Sequence, residues 1–343
     1  MRHLLNTLFV TSEDAYLSLD GENVVVNRDK TAIGRFPLHT LTGIVSFSYA
    51  GASPALMGAC TEREVALAFC TPRGKFLARV CGESNGNVLL RRLQYRVADD
   101  PSQSCRIARG SIFGKLYNAR CSIERTRRDH SLRVDDEKLK AASEKLKELL
   151  PGVAAETSME SLRGLEGVGA VAYFGVLDDM ILSRKEDFYF HCRSRRPPLD
   201  PLNALLSFTY TLLAHDCASA LEAVGLDSYV GFLHRDRPGR TSLALDLMEE
   251  LRPCMGDRFV LSMINNRMFS KSDFEIRESG CVMMSDEARR TLLKNWQQRK
   301  QEMIKHPYLN EKIPWGLVPY LQALLLARYL RGDLDEYPPF LWK

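Results

Sequence analysis

The stretch CGESNGNVLLRRLQYRV, residues 81–97, decides the fold, because the hydrophobic period changes within it. Before it, the chain carries short apolar runs of strand length separated by turn signals. After it, apolar residues recur at the spacing of one helix face, and Asn87 is placed to cap the first such helix. We therefore expect an α+β protein, with a small N-terminal β domain at residues 1–82 followed by a larger all-α domain at residues 83–343.

The first 82 residues predict mostly strands. Asp20-Gly21 lies between two apolar runs and is typical of a hairpin turn. Ser53-Pro54 predicts one interrupting helix, since serine is a good N-cap and proline suits the first helical position. The strand-length runs are at 8–10, 15–19, 24–26, 44–47, 65–69 and 75–80.

The remainder predicts helices and almost no strand. Ser242 is expected to cap a short helix that Pro253 stops, and Gly332 is expected to close the last helix. Tyr337-Pro338-Pro339-Phe340 predicts an extended tail. After the helix that Asp99-Asp100-Pro101 ends, the helical patterns are at 102–128, 136–150, 158–176, 200–224, 242–251, 257–268, 285–305 and 315–331.

Composition excludes several classes of protein. With 343 residues, 45% hydrophobic and 26% charged, the chain is of globular type and not disordered, collagen-like or coiled-coil. The nine cysteines form no CxxC pair, which is typical of reduced thiols in a cytoplasmic protein. The first ten residues lack the features of a signal peptide, and no apolar run approaches the ~20 residues of a membrane span.

The charge is unevenly distributed. The net charge is only +4, yet residues 91–133 hold eleven Lys or Arg against four acids. Two shorter basic segments lie at 184–196 and 235–240. Arginine predominates, which suits bidentate contacts to phosphate. Charge alone is equally compatible with phosphate binding and with a solvated helix face.

Three places in the helical half offer ligands for a hard divalent cation, which prefers carboxylates and sometimes one imidazole. Glu166 lies among glycines, and these indicate a close approach of some other group. His234 stands where an apolar run meets three arginines. Asp246 and Glu249, at i and i+3, share one face of a short helix. Taken singly, each also fits an ordinary solvated acid or a core histidine. No GxxxxGK[ST], GxGxxG, GxSxG or HExxH is present.

Read together, these segments closely resemble the universal CRISPR-associated endonuclease and integrase that inserts new spacers, in the version found in type I subtype C systems. The resemblance covers essentially the whole chain and includes Lys115, Asn118 and Asp257-Arg258. Its motifs are GLEG at 164–167, DPLNALLSFTY at 200–210, GLD at 225–227, GFLH at 231–234, SLALDLME at 242–249 and RP at 252–253.

The resemblance implies an N-terminal domain used for homodimerisation, a helical catalytic domain, and a complex with the family's small companion subunit. It implies that Glu166, His234 and Glu249 are the metal ligands and that Asp246 is a further acid of the site. Many members carry Asp at the position of Glu249, so Asp246 stays an alternative third ligand. We expect Mg²⁺ or Mn²⁺, since imidazole suits the softer ion. Duplex DNA is the expected substrate, with contacts from Arg163, Arg184, Arg193, Arg235, Arg237 and Arg240.

The activity expected from this resemblance is metal-dependent strand transfer, in which a 3′-hydroxyl attacks a phosphodiester, or cleavage when water attacks instead. One alternative is a catalytically silent DNA-binding scaffold. Another is an iron oxygenase with two histidines and one carboxylate, but the helix at 242–251 offers no second histidine.

Overall fold

The computed structural model describes residues 7–12, 14–41, 43–72, 76–82 and 88–342. Within this part of the chain, N-terminal strands are followed by a helix-rich region, so the predicted fold class is confirmed. The capping role expected of Asn87 lies outside the described residues. No helix in the described ranges combines the length and the apolarity that a membrane span requires.

The described residues divide into two compact units. The first lies within Met1–Asn85 and also takes in Arg289–Met303 and Pro314–Leu317. The second lies within Gly86–Ala288, Ile304–Ile313 and Val318–Lys343. The boundary after residue 82, and the roles assigned to its two sides, stay predictions.

The N-terminal strands form two sheets. In the four-stranded sheet the order is β1-β5-β6-β7, with β1, β5 and β6 parallel and β7 antiparallel to β6. The other sheet is the antiparallel meander β2-β3-β4. The elements are β1 (Thr7–Val10), β2 (Tyr16–Asp20), β3 (Asn23–Arg28), β4 (Thr31–Pro37), β5 (Gly43–Ser46), α1 (Pro54–Glu62), β6 (Ala66–Cys70) and β7 (Phe76–Val80).

Local signals in this region act as the sequence predicts. Gly21 turns the β2–β3 hairpin with φ +57°. The Ser53 hydroxyl accepts from the Leu56 amide at 3.2 Å and begins α1. β4 was not predicted from the sequence, because its side chains are mostly exposed and it contains a glycine and a proline. The buried core beneath these strands and α1 includes Leu17, Val24, Val26, Ile44, Leu56 and Leu67.

The helix-rich region also contains two short two-stranded sheets, β8 (Phe274–Ile276) with β9 (Val282–Met284), and β10 (Met303–Lys305) with β11 (Lys312–Pro314). Its helices are α2 (Val88–Asp99), α3 (Pro101–His130), α4 (Asp136–Ala155), α5 (Met159–Phe174), α6 (Pro201–Ala223), α7 (Ser242–Leu251), α8 (Arg258–Asn265), α9 (Asp286–Gln301) and α10 (Val318–Leu330).

One local prediction in this region is wrong, and two others are incomplete. Ser242 is the first residue of α7 and not its cap, and its hydroxyl donates to the Arg235 carbonyl at 3.2 Å. Pro253 does not end the helical path, which continues as a π-helical turn over Arg252–Asp257 into α8. The C-terminal segment predicted as an extended tail has neither helix nor strand over residues 337–342, and its Tyr337 and Phe340 are buried.

Candidate active site

Asp246 on α7 fixes the loop that carries His234. Its Oδ2 accepts hydrogen bonds from the backbone amides of Phe232 at 2.6 Å and Leu233 at 2.9 Å. Its Oδ1 accepts from the His234 amide at 3.0 Å and lies 2.5 Å from His234 Nδ1. A carboxylate with this many donors is held in place, and it orients the imidazole so that Nε2 points away from it.

Gly231 permits this close approach of loop and helix. A Cβ added there would lie 2.8 Å from Ser242 Cβ and 2.9 Å from Asp246 Oδ2. No real side chain tolerates both contacts. The GFLH sequence therefore needs its glycine for packing, and the three residues that follow can then direct their amides at one carboxylate.

Glu249 lies one turn further along α7 and is buried between cations. Its Oε1 is 3.1 Å from Arg252 Nη2 and 3.9 Å from His234 Nε2, and its Oε2 is 2.8 Å from Lys115 Nζ. Burial acts to raise the pKa of this carboxyl, but Arg252 and Lys115 outweigh it and lower the pKa to about 2. Glu249 is therefore ionised at neutral pH.

Glu166 on α5 faces the same point. The Lys115 ammonium on α3 forms an ion pair with Glu166 Oε1, and thus bridges the two glutamates. Burial acts to lower the pKa of Lys115, yet the charges of Glu249 and Glu166 raise it overall. The Lys115 side chain is 12% exposed and that of Glu166 28%, so the cluster opens to solvent on the Glu166 side.

The glycines around Glu166 have different surroundings. A Cβ at Gly169 would lie 2.3 Å from Leu116 Cδ2, so this glycine lets α5 pack closely on α3. Cβ atoms at Gly164 and Gly167 would meet nothing within 4 Å. One glycine is thus explained by helix packing, and the other two leave open space on the helix that carries Glu166.

A divalent cation fits the chemistry of this donor set. Glu166 and Glu249 hold a protein cation between them, and the imidazole nitrogen Nε2 of His234 lies 3.9 Å from the other oxygen of Glu249. In the described part of the chain, no three His, Cys, Asp or Glu side chains stand together at the spacing of a formed metal site.

The rear of α7 holds a second buried glutamate. Glu250 accepts hydrogen bonds from the Tyr337 hydroxyl at 2.6 Å, Gln322 Nε2 at 2.9 Å and the Phe340 amide at 2.9 Å. Burial raises its pKa to about 7 despite these donors. Asn118 on α3 secures the same segment, donating to the carbonyls of Glu250 and Phe340 at 2.7 Å each. The C-terminal segment thus packs directly behind the helix that carries Glu249.

Three of the arginines expected to contact DNA have partners inside the protein. Arg163 donates to the Leu233 carbonyl at 2.5 Å, next to the candidate site. Arg184 donates to the Phe269 carbonyl at 2.7 Å. Arg193 donates to Asn203 Oδ1 at 2.6 Å and lies over the Tyr210 ring. These contacts give all three a structural role.

The other expected arginines lie on the loop after His234, where Arg235 and Arg237 are exposed and Arg240 is half-buried. The pKa of Arg240 is lowered by burial and by the positive charges of Arg237, Arg195 and Arg196, although Asp246 opposes them. Four arginines therefore lie together beside the site. Arg195 and Arg196 were not selected from the sequence, although they end the basic segment 184–196.

Three arginines of the strongly basic segment form ion pairs within their own region. Arg127 pairs with Asp136 at 2.9 Å and Glu124 at 3.0 Å. Arg125 and Arg128 both pair with Asp129. Glu124 and Asp129 are already among the four acids counted in residues 91–133, so of these pairs only the one with Asp136 lowers the positive excess further.

Two cations of the site were missed as site residues by sequence reasoning. Arg252 stands three residues after Glu249, a spacing that on a helix favours an ion pair and gives a usable signal. Lys115 is separated from Glu166 by 51 residues and from Glu249 by more, so no local pattern indicates their contact.

Comparison with known proteins identifies the family and agrees with this fold. The family model described as CRISPR associated protein Cas1 matches residues 8–298. A protein of Chlorobaculum tepidum named CRISPR-associated endonuclease Cas1 1 is 50% identical over 343 residues, which is all of both chains. The chain belongs to the Cas1 family. The finer assignment to subtype C stays a prediction.

Solved structures share the fold at low identity. A casposase bound to integration product has a TM-score of 0.83 at 21% identity, covering 99% of this chain and 95% of the other. A chain of a Cas6-RT-Cas1–Cas2 complex has a TM-score of 0.81 at 22% identity, covering all of this chain and 36% of the other. At these identities the likeness concerns the fold alone.

Proposed function

We propose that this protein is a divalent-metal-dependent DNA endonuclease and strand-transfer enzyme that inserts short DNA fragments into a CRISPR array. The observation that carries the proposal is the contact of Glu166 and Glu249 with one shared cation, the Lys115 ammonium, with His234 Nε2 3.9 Å from Glu249 Oε1. The names of the Cas1 relatives support the nuclease activity, and the casposase with its integration product supports strand transfer on this fold.

Glu166, His234 and Glu249 would hold the ion, Mg²⁺ or Mn²⁺. When bound, the ion would supply charge neutralisation and Lewis acidity at the reacting phosphodiester. In the reaction, a 3′-hydroxyl attacks phosphorus and forms a new P–O bond while the 3′-oxygen of the cut strand leaves. With water as the nucleophile, the same centre cleaves DNA.

Asp246 serves His234 and is not itself a ligand in this proposal. Its two oxygens already accept three backbone amides and face Nδ1. It therefore keeps a proton on Nδ1 and leaves the Nε2 lone pair available to the centre, as carboxylate partners of ligating histidines commonly do. Arg252 keeps Glu249 ionised, so this carboxylate is ready to bind a cation at neutral pH.

The arginines beside the site would hold the DNA backbone. Arg195, Arg196, Arg237 and Arg240 are close enough for their charges to influence one another. A bound phosphate relieves that repulsion, and guanidinium groups bind phosphate in bidentate fashion. In this proposal, duplex contacts would lie next to the reacting centre, on residues that do not form it.

The partners follow the family. The Cas6-RT-Cas1–Cas2 complex supports assembly with a small Cas2-type companion subunit, in the heterohexamer-type complex expected from the sequence. The β-rich residues 1–82 would form a homodimer, and residues 83–343 would carry catalysis and DNA binding. Exposed apolar side chains on β4, Ile33 and Phe36, support a protein-contact role for the first region.

The test combines the protein and its companion with a short duplex bearing free 3′ ends and a supercoiled plasmid that carries a repeat array. We expect covalent joining at the repeat borders with Mg²⁺ or Mn²⁺ and none with EDTA. Glu166→Gln should abolish joining. Glu160→Gln changes an exposed glutamate of the same helix α5 and should join at the normal rate.

Joining that continues in EDTA would contradict the metal dependence. A folded Glu166→Gln protein that binds duplex and joins strands at the normal rate would contradict the assignment of the centre. In that case the chain would be the alternative that the sequence left open, a catalytically silent DNA-binding scaffold.

A further inference from the structure

Lys115 occupies the place where a shared cation would bind. Its ammonium group pairs with Glu166 on one side and lies 2.8 Å from Glu249 Oε2 on the other. These are the two acids that the proposed centre needs together. An ammonium and a divalent ion cannot both lie between the same two carboxylates, since their charges repel strongly at contact distance.

The second cation of the site is held more firmly. Arg252 contacts Glu249 at 3.1 Å, and its guanidinium lies 5.0 Å from the centre of the Tyr210 ring. It touches only Glu249 of the two acids. Lysine, in contrast, carries a compact charge on a flexible four-carbon stem and changes position at low cost. Of the two, Lys115 is the cation that can leave.

The structure provides a place for the displaced side chain. A small cavity borders Lys115 and is lined further by Tyr173, Tyr210 and Asp257. The buried Tyr173 hydroxyl makes no hydrogen bond of standard geometry, and the Asp257 carboxyl bonds to the Tyr210 hydroxyl. The lining of this cavity, which also includes Arg252, therefore offers oxygen acceptors to a displaced ammonium.

We propose that Lys115 is a resident counter-cation, which holds Glu166 and Glu249 together in the metal-free protein and must be displaced before a divalent ion binds between them. This inference rests on the metal centre proposed above. It implies that metal affinity is lowered by competition within the chain, and that removing the lysine charge raises it.

The test measures Mn²⁺ binding to the DNA-free protein by the loss of the free-ion EPR signal. We expect Lys115→Met to bind Mn²⁺ at least about tenfold more tightly than the unmodified protein. Lys115→Arg keeps the charge and should bind no more tightly than the unmodified protein. Lys138 lies on α4, away from the centre, and pairs with Asp179. Lys138→Met removes this ion pair and should leave the Mn²⁺ affinity unchanged.

Thermal unfolding gives a readout that does not depend on activity. In EDTA, Lys115→Met should unfold at a lower temperature than the unmodified protein, because two acids lose their cation. Saturating Mn²⁺ should raise its unfolding temperature by more than it raises that of the unmodified protein, since tighter binding stabilises the folded state further.

The outcomes separate the two proposals. If Glu166→Gln abolishes Mn²⁺ binding while Lys115→Met binds Mn²⁺ no more tightly than the unmodified protein, the counter-cation role alone is overturned. Absence of Mn²⁺ binding in both the unmodified protein and Lys115→Met would overturn the metal centre and this inference with it. If Lys115→Met does not fold, a crystal structure of the unmodified protein with Mn²⁺ provides the test. The inference fails if the ion contacts both glutamates while Lys115 still bridges them.

Discussion

The two faces of α7 carry neighbouring glutamates that behave in opposite ways. Glu249 is 4% exposed and Glu250 is fully buried, so burial does not distinguish them. Glu249 faces Arg252 and Lys115, and its pKa falls to about 2. Glu250 faces a hydroxyl, an amide side chain and a backbone amide, and its pKa rises to about 7. The partner's charge, and not burial, decides whether a buried acid is ionised.

The geometry of the helix makes this contrast possible. Consecutive residues on an α-helix project about 100° apart, so one glutamate points to the charged centre and the next to the C-terminal segment. Glu249 is a ligand in the proposed metal centre. Glu250 joins α7 to α10 and to the residues around Tyr337. The predictions below test this division of roles.

The largest expected effect separates the two glutamates by activity. Glu249→Gln should lower metal-dependent DNA cleavage on the order of 1000-fold, because a charged ligand worth several kcal/mol is lost. Glu250→Gln is the matched control and should retain activity within a few-fold, since its side chain faces away from the centre. Initial cleavage rates at saturating Mn²⁺ measure both. If both variants fold and lose cleavage activity equally, the two glutamates do not differ in role.

A third buried acid, Asp257, extends the comparison of Glu249 and Glu250 to the dependence of stability on pH. It follows α7, is buried and bonds to the Tyr210 hydroxyl, and burial raises its pKa from 3.8 to about 6. In the unfolded chain this acid ionises near pH 4, whereas in the folded protein it stays protonated until about pH 6. Protonated Asp257 therefore contributes fully to the free energy of unfolding below pH 4. This contribution, about 3 kcal/mol, is lost as the pH rises through 6.

Urea unfolding of metal-free protein between pH 4 and pH 7 checks this sign. The difference in unfolding free energy between the unmodified protein and Asp257→Asn should fall as the pH rises, because asparagine cannot ionise. Other titrating groups cancel in the difference. A difference that stays level or grows across this range would show that Asp257 ionises normally in the folded protein.

The smallest expected effect concerns the neutral partners of Glu250. Tyr337→Phe removes the hydroxyl that donates to Glu250 and accepts from Gln322, and should lower the free energy of unfolding by about 1–2 kcal/mol. Tyr308→Phe changes an exposed tyrosine and should alter it by less than about 0.5 kcal/mol. If both substitutions have the same small effect, the hydroxyl does not support the rear of α7.

Local patterns predicted the elements of this site well. The helix at 242–251 has the predicted bounds, and Asp246 and Glu249 share its face because their spacing of three matches the helical period. Glu166 was placed on a helix for the same reason. Such features depend on neighbours in sequence, which a periodic pattern records.

Contacts between distant segments could not be predicted in this way. Nothing near Lys115 indicates that it bridges Glu166 and Glu249, and nothing near Arg127 indicates that it pairs with Asp136 on the next helix. The C-terminal segment was expected to be an extended tail, although its aromatic residues among prolines are typical of buried anchors. Sequence shows which groups are available, and packing determines which of them meet.

The bonds behind α7 connect residues that are very far apart along the chain. Asn118 bonds to Phe340 and Trp342, 222 and 224 residues away, and Glu250 bonds to Tyr337 and Phe340, 87 and 90 residues away. Closing such long loops costs conformational entropy, so we expect these bonds to form after the local helices during folding. Until they form, α7 lacks its rear support and Glu249 is not held against its cations. The order of folding thus delays nuclease competence, and partly folded molecules carry all the catalytic side chains without an assembled centre.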